Sequence, residues 1–390
     1  MKAWKWGAVR SEKKAAAARL NARKPRPKAR KMGRASLANK IKRNLMDELK
    51  EDMDALSERR NIMRTLEAPF PYFGGKRKAA EIVWRIFGNP KNYVEPFMGS
   101  AAMLLARPET NEGIETVNDK DGFISNFWRA VKMSPDEVAF WCDFPVSETD
   151  LVSRHLYLVE HSQRLNSALE ADPMFYDAKI AGWWVWGACA WIGSGWCSGK
   201  GPWIKHNGSV IDRRKLPHIS NAGMGVNRKL PHIGDAGRGV NRKLPHIGDA
   251  GRGVNAWMLA LAERLRRVRV TCGDWRRVMG PSATVKHGMT AIFLDPPYTQ
   301  GEMDYAAGGC GGGVASDVRG WCAENGGNLL LKIALCGHDG EHDDLLSMGW
   351  TKQHWKAGAG YARSDQSIAR RKSETIWFSP ACIIPPIELI

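Results

Sequence analysis

Residues 291–298 read Ala-Ile-Phe-Leu-Asp-Pro-Pro-Tyr, and this stretch decides the fold. Its four apolar residues are typical of a buried strand. The two prolines end that strand, because neither can donate a hydrogen bond to a sheet ladder and each fixes its own φ angle. The stretch therefore predicts a rigid corner at the carboxyl end of a strand, where open α/β sheets bind their ligands.

The polar groups of this corner indicate a type of ligand. Asp295 and the carbonyl oxygen of Pro296 can accept the two hydrogens of an amine, and Tyr298 offers a ring face for stacking. Together they suit an exocyclic amine on a flat base. A simple strand-to-turn junction is the alternative, and the rest of the chain has to decide between the two.

Composition limits the possible functions. The chain has 390 residues, enough for one large domain or two with appendages, and its 58 Lys and Arg against 41 Asp and Glu give a net charge of +17. That excess predicts a polyanionic partner, with nucleic acid favoured over a membrane surface. No apolar run is long enough to span a bilayer. The eight cysteines form no CxxC pair, so we expect neither a disulfide framework nor a metal ribbon, and a reducing cytoplasm fits.

The N-terminal region is strongly basic. Residues 2–43 contain Glu12 as their single acid, which predicts a mobile arm that holds a phosphate backbone without sequence preference, or a solvated tail with no dedicated role. From residue 37 to 56, leucines, isoleucine and methionine recur every three or four residues, as on one face of an amphipathic helix.

Two strand ends predict a nucleotide site. Residues 93–105 suggest a strand, a turn of small residues and a helix, so that backbone N–H groups can approach a ligand. A second strand, Ile114–Asp119, ends in an acid, which is where nucleotide-binding α/β folds hold ribose hydroxyls. A purely structural βαβ unit is the alternative interpretation.

The middle of the chain differs in character. Residues 136–180 are predicted to be helical, and residues 182–203 contain six tryptophans among glycines. We interpret about half of those rings as core and the others as possible DNA contacts. Residues 214–255 hold three 14-residue repeats, which predict a basic surface loop that either tracks phosphates or has expanded neutrally. The repeat itself explains the spacing of its three histidines, and a metal site is not expected here or at 338–342.

The last third returns to an α/β pattern. It predicts a basic helix at 256–267 and a strand at 268–272 that leads to Asp274. After the 291–298 corner we expect a helix at 316–324, a strand at 328–335 and a terminal strand within 370–379.

Four motifs in this order resemble those of the Dam-like DNA adenine-N6 methyltransferases. They are Tyr72-Phe-Gly-Gly-Lys76, Glu95-Pro-Phe-Met-Gly99, Asn118-Asp119 and Asp295-Pro-Pro-Tyr298. The similarity covers roughly residues 69–135 and 256–379. It implies an α/β fold, a Rossmann-like S-adenosylmethionine-dependent methyltransferase sheet with an inserted, mainly helical and loop-rich DNA-recognition domain.

The resemblance also implies roles for individual residues, with S-adenosylmethionine as the methyl donor. The catalytic residues it implies are Asp295, Pro296, Pro297 and Tyr298. The cofactor-binding residues it implies are Tyr72, Lys76, Glu95, Phe97, Gly99, Asp119, Asp274 and Asp295. The chain departs from the family at Ala101, where a second glycine is usual, and the added methyl group is expected to narrow the approach to the cofactor.

The expected organisation has four parts: a basic arm and helix (1–68), a cofactor-binding part (69–135), a recognition insert (136–255) and a catalytic part (256–390). The expected activity is methylation of adenine N6 in double-stranded DNA after base flipping. We expect a monomer on DNA in a bacterial or phage-infected cytoplasm, with a restriction nuclease as a possible partner and no membrane. The alternatives are a cytosine-N4 methyltransferase and a DNA-binding protein with an inactive pocket.

Overall fold

The computed structural model describes residues 66–72, 76–108, 113–191, 196–197, 203–206, 209–212, 252–298, 312–355 and 374–382. All of them lie in one compact unit, Met63–Ile390. The basic arm, the helix predicted from residue 37 and the repeats up to residue 251 lie outside the described residues.

Helices and strands alternate at the start of the described chain, and four successive helices then separate the second strand from the third. The helices are α1 (Arg77–Phe87), α2 (Ala102–Leu105), α3 (Gly122–Met133), α4 (Pro135–Cys142), α5 (Glu148–Ala171), α6 (Ala178–Ala190), α7 (Arg252–Leu265) and α8 (Gly312–Asn325). The strands are β1 (Asn92–Glu95), β2 (Ile114–Asp119), β3 (Trp203–His206), β4 (Ser209–Asp212), β5 (Val268–Cys272), β6 (Thr290–Leu294), β7 (Leu331–His338), β8 (Thr351–His354) and β9 (Glu374–Phe378).

A seven-stranded sheet forms the core, in the order β5-β2-β1-β6-β7-β9-β8. The first five strands in this order run parallel to one another. β9 runs antiparallel to β7, and β8 antiparallel to β9. This mostly parallel sheet with helices between its strands confirms the predicted Rossmann-like α/β fold.

The predicted corner lies at the middle of the sheet. Every residue of β6 is buried, as expected for an apolar strand with a parallel neighbour on each side. On one side β6 pairs with β1, where Val94 lies opposite Ile292. The strand order reverses between β1 and β6, and at such a switch point a crevice opens outside the carboxyl ends of the strands.

Most predicted elements are found, with shifted ends. The helix predicted from residue 316 begins at Gly312 and extends to Asn325. The strand predicted at 328–335 begins three residues later, at Leu331. The reason is a turn at Asn328, whose side-chain oxygen accepts a hydrogen bond from the Leu330 N–H at 3.0 Å and whose carbonyl accepts one from the Leu331 N–H at 2.9 Å.

The first half of the predicted insert is helical, as expected. Helices α4, α5 and α6 cover most of residues 135–190, and α6 contains three of the six tryptophans. Trp184 and Trp186 are buried, in agreement with the core interpretation for these two rings. The helix predicted from Ala256 begins at Arg252, so the last residues of the third repeat are already helical. The β3–β4 hairpin is an element that the sequence pattern did not reveal.

None of the described helices combines the length and the apolar character needed to cross a membrane.

Candidate active site

The turn after β1 is built around Gly99. The Gly99 N–H donates to the Asp119 Oδ2 oxygen at 2.8 Å, and the Asp121 N–H donates to Asp119 Oδ1 at 2.8 Å. The ring of Tyr72 lies directly against the turn, so that a Cβ atom at position 99 would be 2.6 Å from it. With a φ angle of +49° as well, the position requires glycine.

The pKa of Asp119 is raised at this position. Burial and the neighbouring Asp121 carboxylate raise the pKa of Asp119 to about 7, while the backbone N–H bonds to its oxygens act in the opposite direction. A carboxylate near its titration point at neutral pH can accept hydrogen bonds from hydroxyl groups, and it gains its full negative charge when a cation approaches.

Two buried side chains that were not predicted as site residues hold this turn. The Asn118 side-chain amide donates to the carbonyl oxygens of Pro96 at 3.1 Å and Gly273 at 3.0 Å, so it joins the loops after β1 and β5. The Trp128 indole N–H donates to the Gly99 carbonyl oxygen at 3.0 Å. Asn118 belongs to a quoted motif, whereas the sequence gives no signal for Trp128.

The departure at Ala101 is visible in the backbone. Ala101 has a φ angle of +53° and is fully buried. Left-handed backbone costs a residue with a Cβ atom about 1 kcal/mol relative to glycine. The alanine therefore raises the conformational free energy of the turn.

The carboxyl end of β6 carries a cluster of charged and polar groups. The Lys76 Nζ atom lies 3.0 Å from Asp295 Oδ2, and the Tyr298 hydroxyl lies 3.2 Å from Asp295 Oδ1. A fourth member, Glu374, has its Oε2 atom 3.0 Å from the Tyr298 hydroxyl and 3.8 Å from Lys76 Nζ. Pro296 is buried and Pro297 is half-buried, as expected for a rigid corner.

These contacts fix the protonation states of two members. Burial is the largest single influence on Lys76 and lowers its pKa, but the negative groups around it, Asp295 first and Glu374 among them, together raise the pKa above its usual value, so the side chain is a cation. Burial and the carboxylate of Asp295 raise the pKa of Tyr298 well above its usual value, and its hydroxyl therefore keeps its proton.

Glu95 lies between the two halves of the site. It is only 2% exposed, and its carboxyl accepts a hydrogen bond from the Tyr93 hydroxyl at 2.9 Å. Burial is the main reason why the pKa of Glu95 is raised to about 8; the carboxylates of Asp295 and Asp119 act in the same direction, and the hydrogen bond from Tyr93 acts in the opposite one. Because β1 pairs in parallel with both β2 and β6, the residues that follow these three strands lie at one edge of the sheet.

Two other predicted residues lie at the β5 side. The rings of Phe97 and Trp275 are 6.2 Å apart and tilted by 31°. Asp274 is about half exposed, and its carboxylate accepts a hydrogen bond from the Arg276 N–H at 2.9 Å. The carboxylate of Asp274 thus already caps the short helix that follows it.

A cavity of about 420 Å³ opens at the carboxyl end of β7. His338 lines it and makes an edge-to-face contact with the Tyr298 ring at 4.7 Å. The other lining residues are Ala315, Ser316, Arg319, Asp339, Gly340, Glu341 and His342. Within the described residues, no group of three or more His, Cys, Asp or Glu side chains is arranged to hold a metal ion.

Residues 72–180 match the model of the D12 class N6 adenine-specific DNA methyltransferase family. The chain carries a methyltransferase domain of this family. The match agrees with the resemblance for the motifs at 72–76, 95–99 and 118–119, which lie inside it, and identifies the domain as that of an adenine-specific DNA methyltransferase; the 295–298 motif lies outside the matched residues. The matched range includes the Gly99 turn and Asp119 of the methyltransferase, together with helices α3 to α5. No curated protein shows a significant match to the chain.

Proposed function

We propose that this methyltransferase takes its methyl group from S-adenosylmethionine and transfers it to the N6 amine of an adenine extruded from double-stranded DNA. The proposal places the reaction in the crevice between the carboxyl ends of β1 and β6. The observation that carries it is the strand pairing: β1 runs parallel to β2 on one side and to β6 on the other, so Glu95, Asp119 and Asp295 stand at the same edge of the sheet. An acid suited to ribose hydroxyls and an acid suited to the amine are thus found at the ends of strands that flank β1.

The residues of the crevice fit S-adenosylmethionine. This cofactor combines a hydroxylated ribose with a sulfonium and an ammonium, and the carboxyl groups of Glu95, Asp119 and Asp295 complement hydroxyl groups and positive charge. Gly99 brings a backbone N–H group close to Asp119 without a side chain of its own. The residues that would hold the cofactor are Tyr72, Lys76, Glu95, Phe97, Gly99, Asp119, Asp274 and Asp295. When bound, the cofactor supplies an electrophilic methyl group on its sulfonium.

The corner at Asp295 would hold the target amine. Asp295 and the Pro296 carbonyl oxygen accept hydrogen bonds from its two N–H groups, which orients the nitrogen lone pair and stabilises the positive charge that develops on the nitrogen. Pro296 and Pro297 keep these acceptors in place, and Tyr298 stacks on the base. Positioning of this kind lowers a barrier by about 7 kcal/mol or more in favourable cases.

DNA binding must offset the cost of base flipping, on the order of a few kcal/mol. The net charge of +17 supports contacts with the phosphate backbone. We assign these contacts to the basic arm (1–68) and the recognition insert (136–255), and we propose that one copy of the chain acts on the duplex. The seven described cysteines are free thiols, which supports action in a reducing cytoplasm. We further propose a restriction nuclease as a partner, which would give the methyltransferase a role in restriction-modification.

The test is methyl transfer from tritiated S-adenosylmethionine to duplex DNA, followed by digestion and identification of the labelled nucleoside. We expect the label in N6-methyl-2′-deoxyadenosine. Label in N4-methyl-2′-deoxycytidine would show that the corner holds the exocyclic amine of cytosine instead of that of adenine. DNA binding without any donor binding in calorimetry would identify an inactive pocket, for which the strained turn at Ala101 is the structural reason.

A further inference from the structure

Glu374 reaches the catalytic corner from the far end of the sequence. It is the first residue of β9, which runs antiparallel to β7, and Glu374 lies opposite His338 in that pairing. An antiparallel strand brings its amino end to the edge at which its parallel neighbours have their carboxyl ends. Glu374 therefore lies beside Tyr298 and Lys76, although nothing in the 291–298 motif refers to it.

Two carboxylates at this corner, Asp295 and Glu374, lie near the same two donors, the Tyr298 hydroxyl and the Lys76 ammonium. The Tyr298 hydroxyl is 3.0 Å from Glu374 and 3.2 Å from Asp295, but it has a single proton and can donate it to one of them at a time. The Lys76 ammonium is likewise within 4 Å of both carboxylates. The side chains of Asp295 and Glu374 are 22% and 14% exposed, so water can replace these donors only in part.

We propose that Glu374 is a positioning residue for methyl transfer, because it accepts a hydrogen bond from the Tyr298 hydroxyl and shares the Lys76 ammonium, which leaves Asp295 open to the target amine. The inference rests on the proposed function of Asp295. Without Glu374, both donors turn to Asp295 alone. The hydroxyl then occupies the Oδ1 oxygen and competes with the amine for it. Glu374 thus acts through Tyr298 and Lys76 and touches neither the base nor the methyl group.

The experiment measures single-turnover methyl transfer by the full chain with duplex DNA and saturating tritiated donor. We expect E374A to slow the step roughly tenfold, the value of one charge-assisted hydrogen bond, with little change in the KM of the donor. E374D should retain part of the rate, since it keeps the carboxylate. The exposed Glu324, at the end of α8, provides E324A as a matched control with the wild-type rate.

The decisive variant is the double substitution E374A/Y298F. Phe keeps the ring but has no hydroxyl to occupy Asp295, so the double variant should be faster than E374A alone. A residue that only supports the fold would show no such recovery. If E374A unfolds at lower temperature than the wild type, E374M replaces it, because Met keeps the length of the side chain but has no oxygen to accept from Tyr298; the same recovery is expected in E374M/Y298F.

The results separate this inference from the proposed function. If the wild type is active and E374A and E374M are equally active, the role of Glu374 is overturned while the proposed function stands. A double variant that is no faster than its single Glu374 variant overturns that role as well. A wild type that transfers no methyl group overturns the proposed function, and the role of Glu374 with it.

Discussion

The Lys76 ammonium and the Asp295 carboxylate form an ion pair of 3.0 Å that joins the start of the methyltransferase fold to its catalytic corner. Lys76 directly precedes α1, and Asp295 directly follows β6. Lys76 is 6% exposed in its side chain, so the pair is largely shielded from water. Its two members belong to the motifs that carry the cofactor and the amine, respectively, in the proposed function.

Lys76→Met should therefore lower the stability of the protein as well as the rate of methyl transfer. Removal of one partner leaves a carboxylate without its counter-charge, and such a loss in a buried pair costs about 3 kcal/mol. Guanidinium unfolding of the variant measures this change. Lys91→Met, at an exposed lysine just before β1, is the matched control. A K76M protein as stable as the control would contradict the importance of the pair.

Asp295→Ala should abolish methyl transfer in a protein that still folds but is less stable, because the buried Lys76 loses its partner at 3.0 Å. Loss of the group that accepts the amine hydrogens and faces the developing charge should lower the rate by about a hundredfold or more. Circular dichroism and the melting temperature check the fold, and Asp295→Asn separates the charge from the shape of the side chain. Retained turnover in D295A would refute its catalytic role.

Gly99→Ala should weaken donor binding. The new methyl group would lie 2.6 Å from the Tyr72 ring, at a backbone φ of +49° that disfavours alanine. We expect the Kd for S-adenosylmethionine in calorimetry to rise by roughly tenfold, corresponding to about 1.4 kcal/mol. Gly320, in α8, has open space around it, so G320A is the control and should bind the donor normally. Equal affinities in the two variants would exclude Gly99 from the donor site.

The buried Glu95 predicts a pH dependence of stability. Because its pKa of about 8 in the folded protein lies above the ordinary value of 4.5, the folded state binds more protons than the unfolded state between these two values. Stability contributed by this group is therefore lost as the pH rises from about 4.5 to 8, by up to about 1.4 kcal/mol per pH unit. Unfolding of wild type and E95Q at pH 5 and pH 8 tests this.

The E95Q protein should lose less stability than the wild type over that range, because glutamine does not titrate. Asp119, with a pKa of about 7, adds a loss of the same sign to both proteins. A pH dependence that is identical in the two proteins would mean that Glu95 is already ionised at pH 5.

The central part of the fold was predictable from local sequence. An apolar run that ends in two prolines marks β6 and its corner, because the backbone chemistry of proline leaves few alternatives. The acid at the end of β2 was predictable for a related reason, since parallel strands gather their carboxyl ends at one edge. Asp119 and Asp295 accordingly lie where the sequence pattern placed them, on opposite sides of Glu95.

Other parts of the site depend on tertiary pairing. Glu374 is the first residue of its strand, and only the antiparallel direction of β9 brings it to the corner. His338 was placed beyond the predicted end of its strand, because the turn at Asn328 delays the start of β7. Asp274 shows a further ambiguity, since an acid after a strand can bind a ligand or cap the next helix, and its carboxylate caps a helix here. Its contact with the cofactor stays a prediction.

Helix α7 begins inside the third repeat, at Arg252, so a change in the number of repeats need not alter the start of the helix. Copies 228–241 and 242–255 are identical, so the loss or gain of one whole copy leaves the same residues leading into the helix. Val254 and Trp257 would still enter the core at the same positions. Slippage during replication can thus alter the length of this region in steps of fourteen residues, while the helix and the strands downstream of it keep their sequence.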